Sequence, residues 1–254
     1  MSSSIWLGVR MYSFYCLIRK EFKNTYSSPL VYIVTALFIG LLGTLFFQSL
    51  LAAKASGQLN SADVVVKGVF GTLNSLLLFV CSLVTMRSFS DEKKHHTLDL
   101  LLISKLSVTE IVVAKFISAM SVVFLLLGIS TIFPIIIYFS SDILVAPIAA
   151  AYLGTILNIS FYVSVGLLAS SLTENQIIAA ILSFTVNLSF LMLAWTSQMS
   201  DNFMVAQIIG FLSPATHVEA FIRGAIRSSD IIFYISSLTF FGFATKKSVE
   251  AVRW

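Results

Sequence analysis

Residues 29–51 read PLVYIVTALFIGLLGTLFFQSLL, a run without a single Asp, Glu, Lys or Arg, opened by a proline and followed by a polar stretch at 54–67. A helix rises 1.5 Å per residue, so about 20 apolar residues cross the ~30 Å hydrocarbon core of a bilayer, and a helix satisfies its backbone polar groups internally. Proline suits the first turn of such a helix, where its missing N–H costs nothing. Ala36, Gly40 and Thr44 place small residues four apart, a stripe along which another helix can approach closely. The run predicts a transmembrane helix, and the rest of the chain repeats the pattern.

The chain has 254 residues, of which 57% are hydrophobic and 11% charged, with a mean hydropathy of +0.94. So little charge cannot cover the surface of a water-soluble domain of this size. Five further apolar runs, 69–86, 115–139, 143–168, 176–195 and 231–245, complete an expected set of six spans in one domain, 1–254. The polar breaks between spans three and four (Ser140, Ser141, Asp142) and four and five (170–175) are tight, and Trp195 suits an interfacial end. The last run is short for a span and needs a contribution from the residues before it.

Three segments do not read as simple spans. Residues 5–26 mix Trp6, Phe14, Ile18 and Phe22 with Arg10, Arg19, Lys20 and Lys23, which predicts a helix lying in the interface. Residues 87–110 carry Arg87, Asp91, Glu92, Lys93, Lys94, His95, His96 and Asp99, then the apolar run 100–103, then Lys105 and Glu110. That pattern predicts an amphipathic helix and turn at the membrane surface. In 196–229, the apolar stretch 205–212 is too short to cross and Pro214 breaks it before His217, Glu219, Arg223 and Arg227, so short re-entrant or interfacial helices are expected.

The net charge of +4 and isoelectric point near 9.1 could suggest nucleic acid in a soluble protein; here the positions of the bases set topology instead. Alternating sides gathers 12 of the 16 Lys and Arg residues on the side of the termini and of 87–110, leaving Lys54, Lys67, Arg223 and Arg227 on the other. Basic residues stay inside, so both termini and 87–110 are expected in the cytoplasm. Arg10, Arg19 and Lys20 interrupt any signal-peptide core, and the N-terminus is expected to be retained. Cys16 and Cys81 do not make a disulfide framework.

Little in the spans suggests chemistry. No ionisable side chain is expected at mid-depth, and Lys115 lies at a span end from which its stem could reach the headgroups. That disfavours a proton-coupled carrier and an intramembrane hydrolase alike. His95 and His96 are adjacent and point to different faces, and His217 is expected across the membrane, so no metal site is read. No G-x-x-x-x-G-K-[ST] loop is present, so any driving ATP must sit on a partner. Asn74, Asn158, Ser183 and Asn187 could line a path or could bond one helix to another.

Four segments, taken together, carry a resemblance: LIRKEFKNTYSSPLVYIVTALFIGLLGTLFF at 17–47, TMRSFSDEKKHHTLDLLLISKLSVTEIVVAKFISA at 85–119, SLTENQIIAAILSF at 171–184 and LSPATHVEAFIRG at 212–224. In this order they resemble the permease subunits of type-2 ABC transporters, in particular the compact six-helix group of gliding-motility and copper-enzyme-maturation permeases. The resemblance implies an all-α membrane permease of about six transmembrane helices, with an N-terminal interfacial helix and a cytoplasmic coupling helix between spans two and three. It also implies short re-entrant helices before span six, and a bacterial inner membrane. It implies a cytoplasmic ATPase subunit that binds ATP and Mg, a second permease subunit, identical or not, and no cofactor or catalytic residue in this chain. Asp91, Glu92, Lys93 and Lys94 become the expected ATPase-facing residues. The chain departs from the family pattern at His96, where a glycine is usual before the threonine, and at Lys105, where a proline is usual. The rival readings are a membrane scaffold and a membrane-embedded enzyme.

Overall fold

Ser27 and Ser28 end the first helix, and Pro29 begins the next; that boundary and others like it divide the chain into α-helices with no strand among the described residues. The computed structural model describes residues 2–55, 62–103, 106–140, 145–199 and 202–251, so Lys105, Ser141, Asp142 and residues 56–61 lie outside the described residues. In chain order the helices are α1 Ser2–Tyr26, α2 Pro29–Ala55, α3 Ala62–Thr85, α4 Arg87–Lys94, α5 Thr97–Ile103 and α6 Val108–Ser130. They continue as α7 Ile132–Ser140, α8 Val145–Leu172, α9 Gln176–Met199, α10 Phe203–Leu212, α11 Pro214–Ile222 and α12 Ser228–Ala251.

Local sequence explains several boundaries. Helix α6 starts earlier than the apolar run because Ser107 and Glu110 form a capping box: the serine hydroxyl accepts from the Glu110 N–H at 3.3 Å, and Glu110 Oε2 accepts from the Ser107 N–H at 2.7 Å. The expected third span, 115–139, is interrupted at Thr131. Pro134 cannot donate to the carbonyl of Ser130 four residues back, and its ring crowds that carbonyl, so the helix breaks and restarts as α7. Helix α4 ends at His95 and His96, and His96 takes φ +53°, the left-handed conformation that favours glycine. This is the position where the family pattern has its glycine.

Five stretches are long and apolar enough to cross a membrane: 29–51, 68–94, 108–139, 146–172 and 176–199. A sixth is reached if α10 and α11, which meet at 79° about Ser213 and Pro214, count as one broken span. The chain is thus an all-α integral membrane protein. The expected final run, 231–245, extends to 24 residues as α12, because Ser228, Ser229 and Asp230 open it and a polar turn with Lys246 and Lys247 paired to Glu250 closes it. At 1.5 Å per residue that is about 36 Å, but with charged residues at both ends α12 is not among the stretches apolar enough to cross by length and composition.

Helix α8 is the centre, touching α3, α4, α6, α9, α11 and α12. Its glycines permit this. A Cβ on Gly154 would collide with Phe221 of α11, and one on Gly166 with the hydroxyl of Thr85 on α3. Around α8 the buried apolar residues form one large cluster including Leu77, Phe89, Ile111, Leu126, Tyr162 and Phe221. By contrast only 28% of the α2 span and 22% of the α9 span are buried, against 61% for α8, so α2 and α9 form the outer faces of the single chain.

Candidate functional site

Helix α4 is short, and an eight-residue helix does not hold itself together in water; its bonds to the rest of the chain decide where it lies. Its first turn has no capping side chain of its own. Ser170, at the far end of α8, supplies one: its hydroxyl accepts from the N–H groups of Phe89 at 3.0 Å and Ser90 at 3.1 Å, and donates to the Met86 carbonyl at 3.0 Å. This is an N-cap provided by another helix, and Ser170 is fully buried. The next residue, Ser171, offers its carbonyl to Lys93 Nζ of α4 and to the Ser248 hydroxyl of α12, at 3.2 Å for the latter. Cations and donors belong at a helix C-terminus, where carbonyls go unpaired.

The opposite flank of α4 holds a buried ion cluster. Lys115 of α6, 2% exposed, lies 3.3 Å from Glu21 Oε2 of α1 and 2.9 Å from Glu92 Oε2 of α4. The second contact is at ion-pair distance but outside hydrogen-bond geometry. Lys20 approaches Glu92 from the rim at 3.7 Å, and the Phe89 ring lies 5.1 Å from the Lys115 ammonium. The expectation that Lys115 reaches out to headgroups is therefore corrected: two carboxylates on other helices neutralise it inside the protein, where an unpaired ammonium would be prohibitively costly.

Arg87 donates to the Ser28 hydroxyl at 2.8 Å, just before α2, and Asp91 accepts from Gln176 at the start of α9. Through these contacts α4 is joined to α1, α2, α6, α8 and α9. Of the four residues expected to face an ATPase, Asp91, Glu92 and Lys93 are half-buried with their charged ends bonded inward; only Lys94 is exposed, beside exposed His95, His96 and Thr97. The inward turn has the same cause as at Lys115: charged groups beside a low-dielectric bundle are stabilised by turning toward partners. Leu98 of α5 is buried, which seats the following turn on the bundle.

Between α1, the start of α2, α4 and α6 lies a polar cavity of about 250 Å³, lined on its charged side by Glu21, Arg87, Asp91, Glu92 and Lys115. The polar residues noted within the spans lie elsewhere. Asn158 donates to Asn74 Oδ1 at 2.9 Å, and Asn74 donates to Thr155 at 3.1 Å, binding α8 to α3. Ser183 donates to Ser82 at 3.1 Å, and Asn187 to the Tyr162 carbonyl at 3.4 Å, binding α9 to α3 and α8. All four are buried and none lines the 250 Å³ cavity.

A second buried pair joins the bent segment to α12. His217 Nδ1 lies 2.7 Å from Asp230 Oδ1, its Nε2 lies 2.9 Å from the Phe211 carbonyl, and its ring stacks on Phe233 at 4.1 Å. The imidazole thus bridges the Asp230 carboxyl of α12 and the Phe211 carbonyl of α10. Among the described residues, no group of three or more His, Cys, Asp or Glu side chains is arranged to hold a metal. Sequence reading missed Glu21, Ser170 and Asp230, whose partners are far away in sequence or in the segment read as short re-entrant helices. The signal available was Lys115 itself, a lone cation inside an apolar run.

The sequence comparison bears on this bundle as a whole: residues 12–226 match the family described as ABC-2 type transporter. The chain belongs to that family. The match covers well over half of the chain and takes in α4, the ion cluster and the bent α10–α11 segment. No curated protein matches the sequence. This ABC-2 chain is accordingly the permease, or membrane component, of an ABC transporter.

Proposed function

We propose that this permease is the membrane half of an ATP-driven exporter, coupling hydrolysis on a separate cytoplasmic ATPase to export of, or mechanical work on, a substrate. Helix α4 is the lever. Its outward rim, Lys94, His95, His96 and Thr97, receives the ATPase, and its inward side passes displacement to five other helices through Ser170, Lys93, Glu92, Arg87 and Asp91. A push on a helix held by so many polar contacts moves its partners with it, because buried charges do not easily part. The single observation that carries the reading is this one-sided anchoring of a short charged helix.

In this reading α4 and both termini lie in the cytoplasm of a bacterial inner membrane, as the distribution of 12 of 16 basic residues on that side supports. The lightly covered α2 and α9 face lipid and a second permease subunit, α10 and α11 form a re-entrant pair that does not cross, and α12 is the sixth span. The test is affinity capture of the full chain in mild detergent from its own membranes, with mass spectrometry for a partner carrying a G-x-x-x-x-G-K-[ST] loop and a measurement of ATP hydrolysis by the captured complex. Capture is expected and should fall several-fold with Lys94→Glu, whose side chain is exposed. Failure of the wild-type chain to retain any nucleotide-binding partner would overturn the proposal and favour a scaffold.

A further inference from the structure

A groove of about 150 Å³ runs between α6 and α12, with α8 as its floor. Val113 and Phe116 form the α6 wall, Leu167 the floor, and Leu238 and Gly242 the α12 wall. Gly242 creates it: a Cβ there would meet no atom within 4 Å, so the groove is space that a side chain at 242 would fill. The two hydroxyls in the lining are already bonded within their own helices. Ser164 donates to the Phe161 carbonyl at 2.7 Å, and Thr245 to the Phe241 carbonyl at 2.8 Å. A polar occupant would lose its water here and gain no partner.

Helices α6 and α8 belong to stretches that cross the membrane, and the groove lies within about two turns of the start of α6 and the end of α8. It therefore sits in the leaflet on the side of the chain's C-terminus, where hydrocarbon and not water fills an apolar opening. Lys246 follows Gly242 by one turn on the same face of α12. Its ammonium stands 3.7 Å from Glu250 Oε1, beyond hydrogen-bond length, while Glu250 Oε2 accepts from Lys247 at 3.0 Å. Glu110, the acidic residue in the first turn of α6, is engaged with the Ser107 amide. Lys246 thus keeps N–H donors for a further acceptor at the depth of the headgroups. We propose that the groove holds one acyl chain of a phospholipid whose phosphate is bound by Lys246. From Leu238 to Thr245 the wall runs roughly 10 Å, and the volume is below the ~300 Å³ at which small-molecule pockets begin, so a chain segment fits and a whole cargo does not. The inference rests on the reading of α12 as the sixth span, and needs no ATPase.

The experiment uses the full chain purified in detergent and stripped of lipid, with lipid uptake followed by native mass spectrometry. The probes are phosphatidylglycerol and diacylglycerol of the same acyl chains, which lacks the phosphate. One charge-assisted hydrogen bond predicts about tenfold tighter uptake of the phospholipid by the wild-type chain. Lys246→Gln should bring the two lipids level. Gly242→Leu, whose side chain enters open space, should lower uptake of the phospholipid several-fold without lowering the melting temperature of the lipid-free protein. Val113→Phe, which closes the groove from α6, should do the same. Equal uptake of both lipids by the wild type, or uptake unchanged in both groove-filling variants, would overturn the proposal and leave only unspecific lipid around the bundle. The span itself is tested by an impermeant maleimide on sealed membrane vesicles, with Ser228→Cys and Ala251→Cys each in a Cys16→Ser background. Labelling from opposite sides without lipid preference would sink the lipid site alone; labelling from the same side would remove the sixth span and the groove's place in the bilayer together.

Discussion

Replacing Lys115 by methionine keeps the length of the side chain and removes its charge, leaving Glu21 and Glu92 facing each other in the interior of the permease. Lys115 is 2% exposed, and the Glu21 and Glu92 side chains are 7% and 13% exposed, so water cannot readily take over the lost pairing. Removing one partner of a buried ion pair costs about 3–5 kcal/mol, most of it the penalty of the stranded charges. For a chain of this size about 1 kcal/mol shifts the midpoint by 2–4 °C, so K115M should lower Tm by roughly 6–20 °C. Thermal unfolding in detergent, followed by loss of the monodisperse species, measures it. The triple variant E21Q/K115M/E92Q removes all three charges and should recover most of the loss, because an apolar or neutral replacement of the whole cluster is nearly neutral in stability. A K115M protein as stable as wild type would refute the claim that the three helices are held by this cluster. So would a triple variant that is worse than K115M.

Two further outcomes follow from α4. His96 sits at φ +53° on an exposed turn, where a non-glycine residue costs about 1–2 kcal/mol and glycine adds back less than 1 kcal/mol of chain entropy, so H96G should stabilise by about 0.5–1 kcal/mol in the same melt; a fall in Tm would contradict the assigned conformation. Ser170→Ala strips the cap that α8 lends to α4 and should cost about 1 kcal/mol while loosening α4, read as faster hydrogen exchange at the Phe89 and Ser90 amides; unchanged exchange there would show that α4 is held by other contacts.

The class of this protein was legible in its residues: apolar runs of span length, opened and closed by polar breaks, call for helices in a bilayer. The capping box at Ser107 and Glu110 and the break at Pro134 are also local effects, readable in principle from neighbouring residues. What the line of residues could not say is which way each charged side chain turns. Asp91, Glu92 and Lys93 look like an exposed patch in sequence, and only the packing of α1, α6, α8 and α9 around α4 gives them inward partners. Lys115 has the same lesson, since Glu21 lies 94 residues away in the chain and 3.3 Å away in space. Ser170 reads as an ordinary helix-end serine until folding brings it under the first turn of α4. Periodicity and composition report the solvent each segment prefers; pairing of buried charges depends on distances between helices, which tertiary packing alone sets.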